Sequence, residues 1–283
     1  MPEGDTIHRA AQRLAILTGA IVRDAGAHPR TQVPAERLEG FRVVRVEARA
    51  KHLLIWLRPP EADGEAAGDA NPGRRDVALY THMRMTGSWR VFSTAQESPK
   101  PRASATCWLR TDDWVAACFN APVCQVLSAS QVQRHPVLSA LGPDLVTPTA
   151  DLGEARRRLD LQADRPLLDV LLDQRVFAGV GNVYKSELCF LHRVHPLTKV
   201  EALSGDVREA LLRDAAKLLA RNAAPGAGRR TTTPAGSPTR LYVYGRTGKP
   251  CLRCGTRIQS AALGDPARRT NWCPQCQPPP PEC

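Results

Sequence analysis

The chain has 283 residues, 42% hydrophobic and 24% charged, with 39 Lys+Arg against 28 Asp+Glu and a formal net charge of +11. This length suggests more than one domain, the composition is that of a globular chain with a core, and no apolar run reaches the ~18 residues of a membrane span. A positive surplus attracts polyanions, so nucleic acid is the favoured partner, although a generally basic soluble protein also fits.

In chain order, the start Met1-Pro2-Glu3-Gly4-Asp5 is not followed by the apolar stretch of a signal peptide, so a soluble cytoplasmic protein is expected. An amphipathic helix is predicted from Asp5, taken as its N-cap, with Ile7, Ala10, Ala11, Leu14 and Leu17 at helical spacing. Residues 41–47, 52–57, 77–81, 88–92, 106–110 and 114–119 read as short strands rich in Val, Leu, Ile and Trp. Between them, residues 59–76 are rich in Pro, Gly, Ala and Asp without periodicity and read as a long, mobile surface loop. Beyond Gly142-Pro143 the pattern turns helical, over 152–161, 166–173, 182–191 and 206–221, so a domain boundary is expected near 130–150. In the last helix Val207, Leu211, Ala215 and Leu218 form one apolar stripe. Residues 223–239 read as a flexible segment.

Three motifs carry chemistry. If Met1 is removed, Pro2 presents a secondary amine able to attack an electrophilic sugar carbon, with the Glu3 carboxyl beside it to move a proton; alone, the two are ordinary residues of a helix start. Gly179-Val180-Gly181-Asn182 permits a tight turn with Asn182 capping the next helix, either a packing corner or a helix start offered to a phosphate. Cys251, Cys254, Cys273 and Cys276 form C-x2-C-x18-C-x2-C, the pattern of a four-thiolate zinc site, and Gly255 suits the tight turn of such a knuckle. Between Arg240 and Cys276 seven Lys or Arg face a single acid, Asp265, which favours phosphate contact. The remaining cysteines, Cys107, Cys118, Cys124, Cys189 and Cys283, lack such spacing and read as buried or incidental.

The N-terminal Met1-Pro2-Glu3-Gly4-Asp5, the Ala50-Lys51-His52-Leu53-Leu54 stretch, Gly-Val-Gly-Asn followed by Tyr184-Lys185-Ser186-Glu187, and the cysteine module ending Trp272-Cys273-Pro274-Gln275-Cys276-Gln277 resemble the formamidopyrimidine-DNA glycosylase/endonuclease VIII family, in order and over nearly the whole chain. The resemblance implies a multidomain α+β fold: a two-layer β-sandwich with an N-terminal helix (1–130), a helical domain with a helix–two-turn–helix element (131–240) and a zinc-finger hairpin (241–283). It makes Pro2 the Schiff-base nucleophile and Glu3 the proton donor. Lys51 and Arg268 become phosphate-gripping residues that assist elimination, and Asn182 a phosphate ligand beside the flipped nucleotide. His82-Met83-Arg84-Met85-Thr86-Gly87 resembles the loop that fills the gap left by an extruded base, with Met85 inserted and Arg84 facing the orphaned base; Met85 in the sandwich core is the alternative.

The purine-specific branch carries an Arg-Phe-Gly segment where this chain has Cys118-Phe119-Asn120-Ala121-Pro122, and a lysine where it has Leu168; both departures, with Asp5 and Trp272, favour the endonuclease VIII branch. The expectation is therefore a bifunctional glycosylase and abasic-site lyase acting on oxidised bases, chiefly pyrimidines, in damaged DNA. One structural Zn2+ and a monomer, with no membrane association, are expected. A purine-specific glycosylase and a catalytically silent binder of abasic or single-stranded DNA are the alternatives.

Overall fold

The computed structural model describes residues 2–31, 33–60, 73, 75–96 and 104–280. Most of the loop expected over 59–76, Met1 and Cys283 lie outside the described residues. The chain divides into two units, Met1–Ala140 and Leu141–Cys283.

In the first unit, helix α1 (Gly4–Leu14) buries Ile7, Ala10, Ala11 and Leu14, and Leu17 follows in a 3-10 turn. Each fully buried Ile or Leu contributes about 1.5–3 kcal/mol of transfer free energy. The helix is capped two residues earlier than expected: Glu3 is the N-cap and Asp5 lies in the first turn. The reason is local, since the Glu3 carbonyl already accepts the Ile7 N–H at 3.1 Å.

Among the described residues of this unit, eight antiparallel strands form two sheets. One has the order β2-β3-β4-β8, from β2 (Arg42–Arg49), β3 (His52–Arg58), β4 (Val77–His82) and β8 (Val123–Ser128). The other has the order β1-β6-β7-β5, from β1 (Asp24–Ala27), β6 (Cys107–Arg110), β7 (Trp114–Phe119) and β5 (Ser88–Ser93). Leu53, Ile55 and Leu57 share one face of β3, as period-2 alternation requires, and meet Cys107, Leu109, Ala116 and Cys118 of the second sheet in one core with α1. Strand β1, Asp-Ala-Gly-Ala, has no β-branched residue and exists through its pairing with β6. Both β1 and β8 escape the sequence reading, as does the short helix α2 (Ala129–Gln133), which a Ser128/Gln131 capping box starts.

The second unit holds α3 (Leu152–Asp160), α4 (Leu167–Val170), α5 (Asn182–Leu191) and α6 (Gly205–Ala223) around Phe177, Tyr184, Leu188, Leu211, Ala215 and Leu219. Helix α4 is shorter than the 166–173 expected: Pro166 is its N-cap and Leu171 its C-cap, and the Asp173 carboxylate accepts the Arg175 N–H at 3.1 Å in the turn that follows. Gly179 has φ +104° and an added Cβ would lie 2.9 Å from the Val146 side chain, so that turn requires glycine. The expected capping by Asn182 is corrected: Gly181 is the N-cap and Asn182 is the first helical residue.

A hairpin of β9 (Gln259–Leu263) and β10 (Arg268–Trp272) closes the unit. The segment expected to be flexible over 223–239 is held in its middle. Asn222 accepts the Thr231 N–H and donates to the Thr231 carbonyl, both at 2.9 Å, and Thr232 and Thr233 are buried.

Candidate functional site

Pro2 and Glu3 stand at the head of α1, whose opposite face is sunk in the sandwich core. Pro2 is half-buried and Glu3 is buried, so the pair is carried on a rigid element rather than on a free terminus. The positive end of the helix dipole faces this position.

Lys51 lies in the tight connection between β2 and β3, where Arg49 pairs with His52. Its neighbour Ala50 is buried with φ +54°, a left-handed conformation that costs an L-residue ~1–2 kcal/mol. Directly after it, His52 is buried and its Nδ1 lies 2.7 Å from Tyr80 Oη across β3 and β4.

The turn between β4 and β5 carries Arg84 and Met85. Met83 is buried, whereas Met85 is 58% exposed and Arg84, at φ +43°, is exposed. Gly87 N–H donates to the Met83 carbonyl at 2.9 Å, and a Cβ on Gly87 would lie 2.7 Å from that backbone, so this turn closes only over glycine. The core methionine is thus Met83, and Met85 points into solvent. His82, at the end of β4, is pushed down to about 4 by burial and by the charges of Lys51 and Arg84. His52 is registered opposite His82, their rings 4.7 Å apart, so the connections that carry Lys51 and Arg84 lie at the same end of the sheet.

In the second unit, α5 is the support of the hairpin. Asn182 Nδ2 donates to the Arg269 carbonyl at 2.8 Å, and the fully buried Lys185 donates from Nζ to Thr270 Oγ1 at 2.7 Å. Thr270 in turn donates to the Arg268 carbonyl at 3.0 Å. Arg268 itself is exposed at the first position of β10. Two residues further along α5 the buried Glu187 carboxylate accepts the N–H groups of Tyr242, Val243 and Tyr244 at 2.8–2.9 Å, and the Thr232 hydroxyl. Burial pushes its pKa up, while these donors hold it down. Lys185, Glu187 and Thr270 are missed as structural residues by the sequence reading; two opposite charges, Lys185 and Glu187, on one helical run with Tyr184, Leu188, Phe190 and Leu191 were the available signal.

Cys251, Cys254, Cys273 and Cys276 bring four sulfurs within 4.8 Å of one another. Separations of 3.9 Å for Cys251–Cys276 and 3.5 Å for Cys254–Cys273 bracket the edge of about 3.8 Å of a tetrahedron with Zn–S near 2.3 Å. Arg253 N–H on Cys251 Sγ and Cys276 N–H on Cys273 Sγ, both 3.4 Å, add the donors that thiolates require. The residues fit Zn2+, and four protein ligands leave no open position for a reactive water. Gln277 anchors the knuckle: its Oε1 accepts the Cys273 N–H at 2.9 Å and its Nε2 donates to the Val194 carbonyl at 2.8 Å.

Three family models match this chain: the formamidopyrimidine-DNA glycosylase N-terminal domain over 1–122, the formamidopyrimidine-DNA glycosylase H2TH domain over 141–233, and the zinc finger found in FPG and IleRS over 248–279. The chain is 39% identical over 282 residues to a probable endonuclease 8 2 of Streptomyces coelicolor, covering 98% of this chain and 94% of that one. It is 35% identical over 278 residues to the DNA-(apurinic or apyrimidinic site) lyase Nei2 of Mycolicibacterium smegmatis, covering 98% and 99%. Among solved structures, MutM (Fpg) of Thermus thermophilus superposes with a TM-score of 0.75 at 27% identity, covering 99% of this chain and all of that one. The Lactococcus lactis formamidopyrimidine-DNA glycosylase, at 23% identity and TM-score 0.76 over 98% of this chain and all of that one, shares the fold.

Two outcomes are expected from this geometry. Because thiolate ligation couples hairpin formation to metal, chelation or Cys273→Ser should abolish amide-exchange protection in β9 and β10 while β3 and β4 keep theirs, as read by hydrogen-exchange mass spectrometry. His82 is neutral in the folded state down to about pH 4 but titrates near 6.5 when unfolded, so the unfolded state binds more protons in that window and stability is lost as pH falls through it. Denaturant titrations of His82→Asn should show that acid loss reduced by about 2 kcal/mol, after allowance for the partial exposure of the ring.

Proposed function

We propose, from the premise that this chain belongs to the formamidopyrimidine-DNA glycosylase/endonuclease 8 family, that it is a bifunctional DNA glycosylase and abasic-site lyase excising oxidised bases, chiefly pyrimidines. The observation that carries this reading is Pro2-Glu3 at the head of a core-anchored helix, with Lys51 and Arg84 on connections at the His52–His82 end of one sheet in the same unit. The damaged nucleotide must leave the stack, since its C1′ is out of reach inside a duplex, and weakly paired lesions cost least to extrude. With Met1 removed, the Pro2 nitrogen attacks C1′, the bond from C1′ to the base breaks, and Glu3 supplies a proton to the departing base or the opening sugar. The resulting iminium acidifies the C2′ proton, so the 3′ and then the 5′ phosphate leave by β- and δ-elimination.

Lys51, Asn182 and Arg268 are read as holding phosphates around the extruded nucleotide. Exposed Met85 is read as filling the gap and Arg84 as facing the orphaned base. Asn182 has a double duty in this reading, since its amide also supports the hairpin through Arg269. Zinc is structural: it shapes the hairpin that presents Arg268. Functionally, 1–130 is read as the catalytic domain, 131–240 as the DNA-binding helical domain and 241–283 as the zinc finger. The partner is damaged DNA, approached by a monomer in the cytoplasm. The net charge of +11 supports a polyanionic partner, and no helix among the described residues is long and apolar enough to cross a membrane.

Borohydride reduction in the presence of a thymine-glycol duplex tests the nucleophile. The Met1-processed protein should be trapped covalently on DNA, and Pro2→Gly should lose most lyase activity while remaining folded. Efficient trapping of a protein that retains Met1 would exclude the Pro2 amine. Arg268→Ala should weaken binding to damaged and undamaged duplexes alike, lower the salt slope by about one unit, and shift single-turnover products towards β-elimination. An unchanged slope and product ratio would leave Arg268 a solvated surface charge.

A further inference from the structure

The catalytic sandwich contains three cysteines that neither the zinc site nor the proposed chemistry uses. Cys107 on β6 and Cys124 on β8 belong to different sheets, yet their Sγ atoms lie 3.0 Å apart. Closing about 1 Å more would bring them to the ~2.05 Å of a disulfide. Cys107 is fully buried and Cys124 partly exposed, and Cys118 stands opposite Cys107 in the β6–β7 register. We propose that Cys124 and Cys107 form a peroxide-oxidisable thiol pair, whose disulfide ties the two sheets together at the base of the turn carrying Arg84 and Met85.

The location gives the pair its consequence. The Met83–Gly87 connection passes from β4 in one sheet to β5 in the other. Cys124 is registered opposite Thr81 on β4, and Cys118 opposite Trp89 on β5. Trp89 Nε1 donates to Thr81 Oγ1 at 3.0 Å, so both ends of the turn are already pinned beside the thiols. The chain itself crosses between the sheets here twice, from β4 to β5 and from β7 to β8, and a covalent link would add a crossing that the backbone does not supply.

The order of events follows from exposure. The neighbouring thiols Cys118 and Cys124, and then burial, push the Cys107 thiol well above its ordinary range, whereas Cys124 reaches solvent. The Cys124 sulfur attacks one oxygen of hydrogen peroxide, the O–O bond breaks, and one water leaves behind a sulfenic acid. The Cys107 sulfur then attacks the Cys124 sulfur, the S–O bond breaks, and its hydroxyl departs with the Cys107 proton as a second water. Two electrons pass from the thiol pair to one peroxide. This chemistry is independent of the lyase reading; only its effect on lesion recognition rests on the role given to Met85.

The test uses the full-length, zinc-loaded protein. After peroxide treatment, alkylation and digestion, tandem mass spectrometry should find one cross-link, two hydrogens lighter than the reduced peptides, joining Cys107 to Cys124 and lost with dithiothreitol. The link should persist in Cys118→Ala and vanish in Cys124→Ala, and amides of residues 83–87 should exchange several-fold more slowly in the oxidised wild type. A link to Cys118 instead, or Cys124 carried to sulfinic acid beside an alkylated Cys107, would overturn the pair. So would Cys124 left unreacted at a peroxide dose that oxidises glutathione. Unchanged exchange at 83–87 in the cross-linked protein would overturn the tie to the turn.

Discussion

Taking a carboxylate out of water costs several kcal/mol unless its oxygens are matched by donors, and a site that supplies them holds whatever carries those donors in one place. Glu187 is fully buried and receives three consecutive backbone N–H groups and a hydroxyl. The three N–H donors belong to residues 242–244, a few positions before Cys251, so the carboxylate on α5 fixes where the chain enters the knuckle. Lys185, two residues earlier on the same helix, reaches Thr270 in β10. Asn182, at the first helical position, reaches the carbonyl of Arg269. A ten-residue helix therefore sets both ends of the zinc module. The metal closes the knuckle from within, while α5, with the Gln277–Val194 hydrogen bond, fixes its place in the unit.

The sandwich solves a different problem. Its regular strands bury apolar side chains, and its irregular positions carry residues for which a role on DNA is proposed. Positive φ occurs at Ala50 beside Lys51 and at Arg84 beside Met85, both in connections between strands. Such backbone is costly for residues with a Cβ and persists only where the surrounding structure overrides the cost. Here the flanking residues supply that force, since His52 and Met83 are both buried. A charged or apolar tip on each connection can then stand in solvent without loosening its base.

The charge surplus is not spread evenly. On α3, Glu154 accepts from Arg157 and Arg158, which hold its carboxyl down to about 2, and Asp160 binds Arg156 and Arg208. Those arginines are committed to helix–helix and intrahelical pairs of modest stabilising value. Arg84 and Arg268 stand instead in exposed positions on turn and hairpin. The net charge of the chain predicts a polyanionic partner, whereas the placement of the cations decides which of them can meet it.

Local signals were legible in the sequence. The cysteine spacing marks the zinc module, the run 182–191 matches α5 at both ends, and the apolar run at 52–57 marks β3, because each depends on residues close together in the chain. Where the pattern was weak, partners far away in sequence decide the structure. Strand β1 has no strand-forming residues and exists because β6 pairs with it, eighty or so positions later. Gly181 rather than Asn182 caps α5, with the Asn182 amide directed to Arg269. Met83 and Met85 are indistinguishable by composition, and only the closure of their turn over Gly87 sends one into the core and the other into solvent. Spacing along the chain determined which residues can cooperate in a knuckle or a helix. Tertiary structure alone decided which buried charges find partners and which side chains remain exposed, because desolvation and hydrogen bonding depend on neighbours that the chain brings together only on folding.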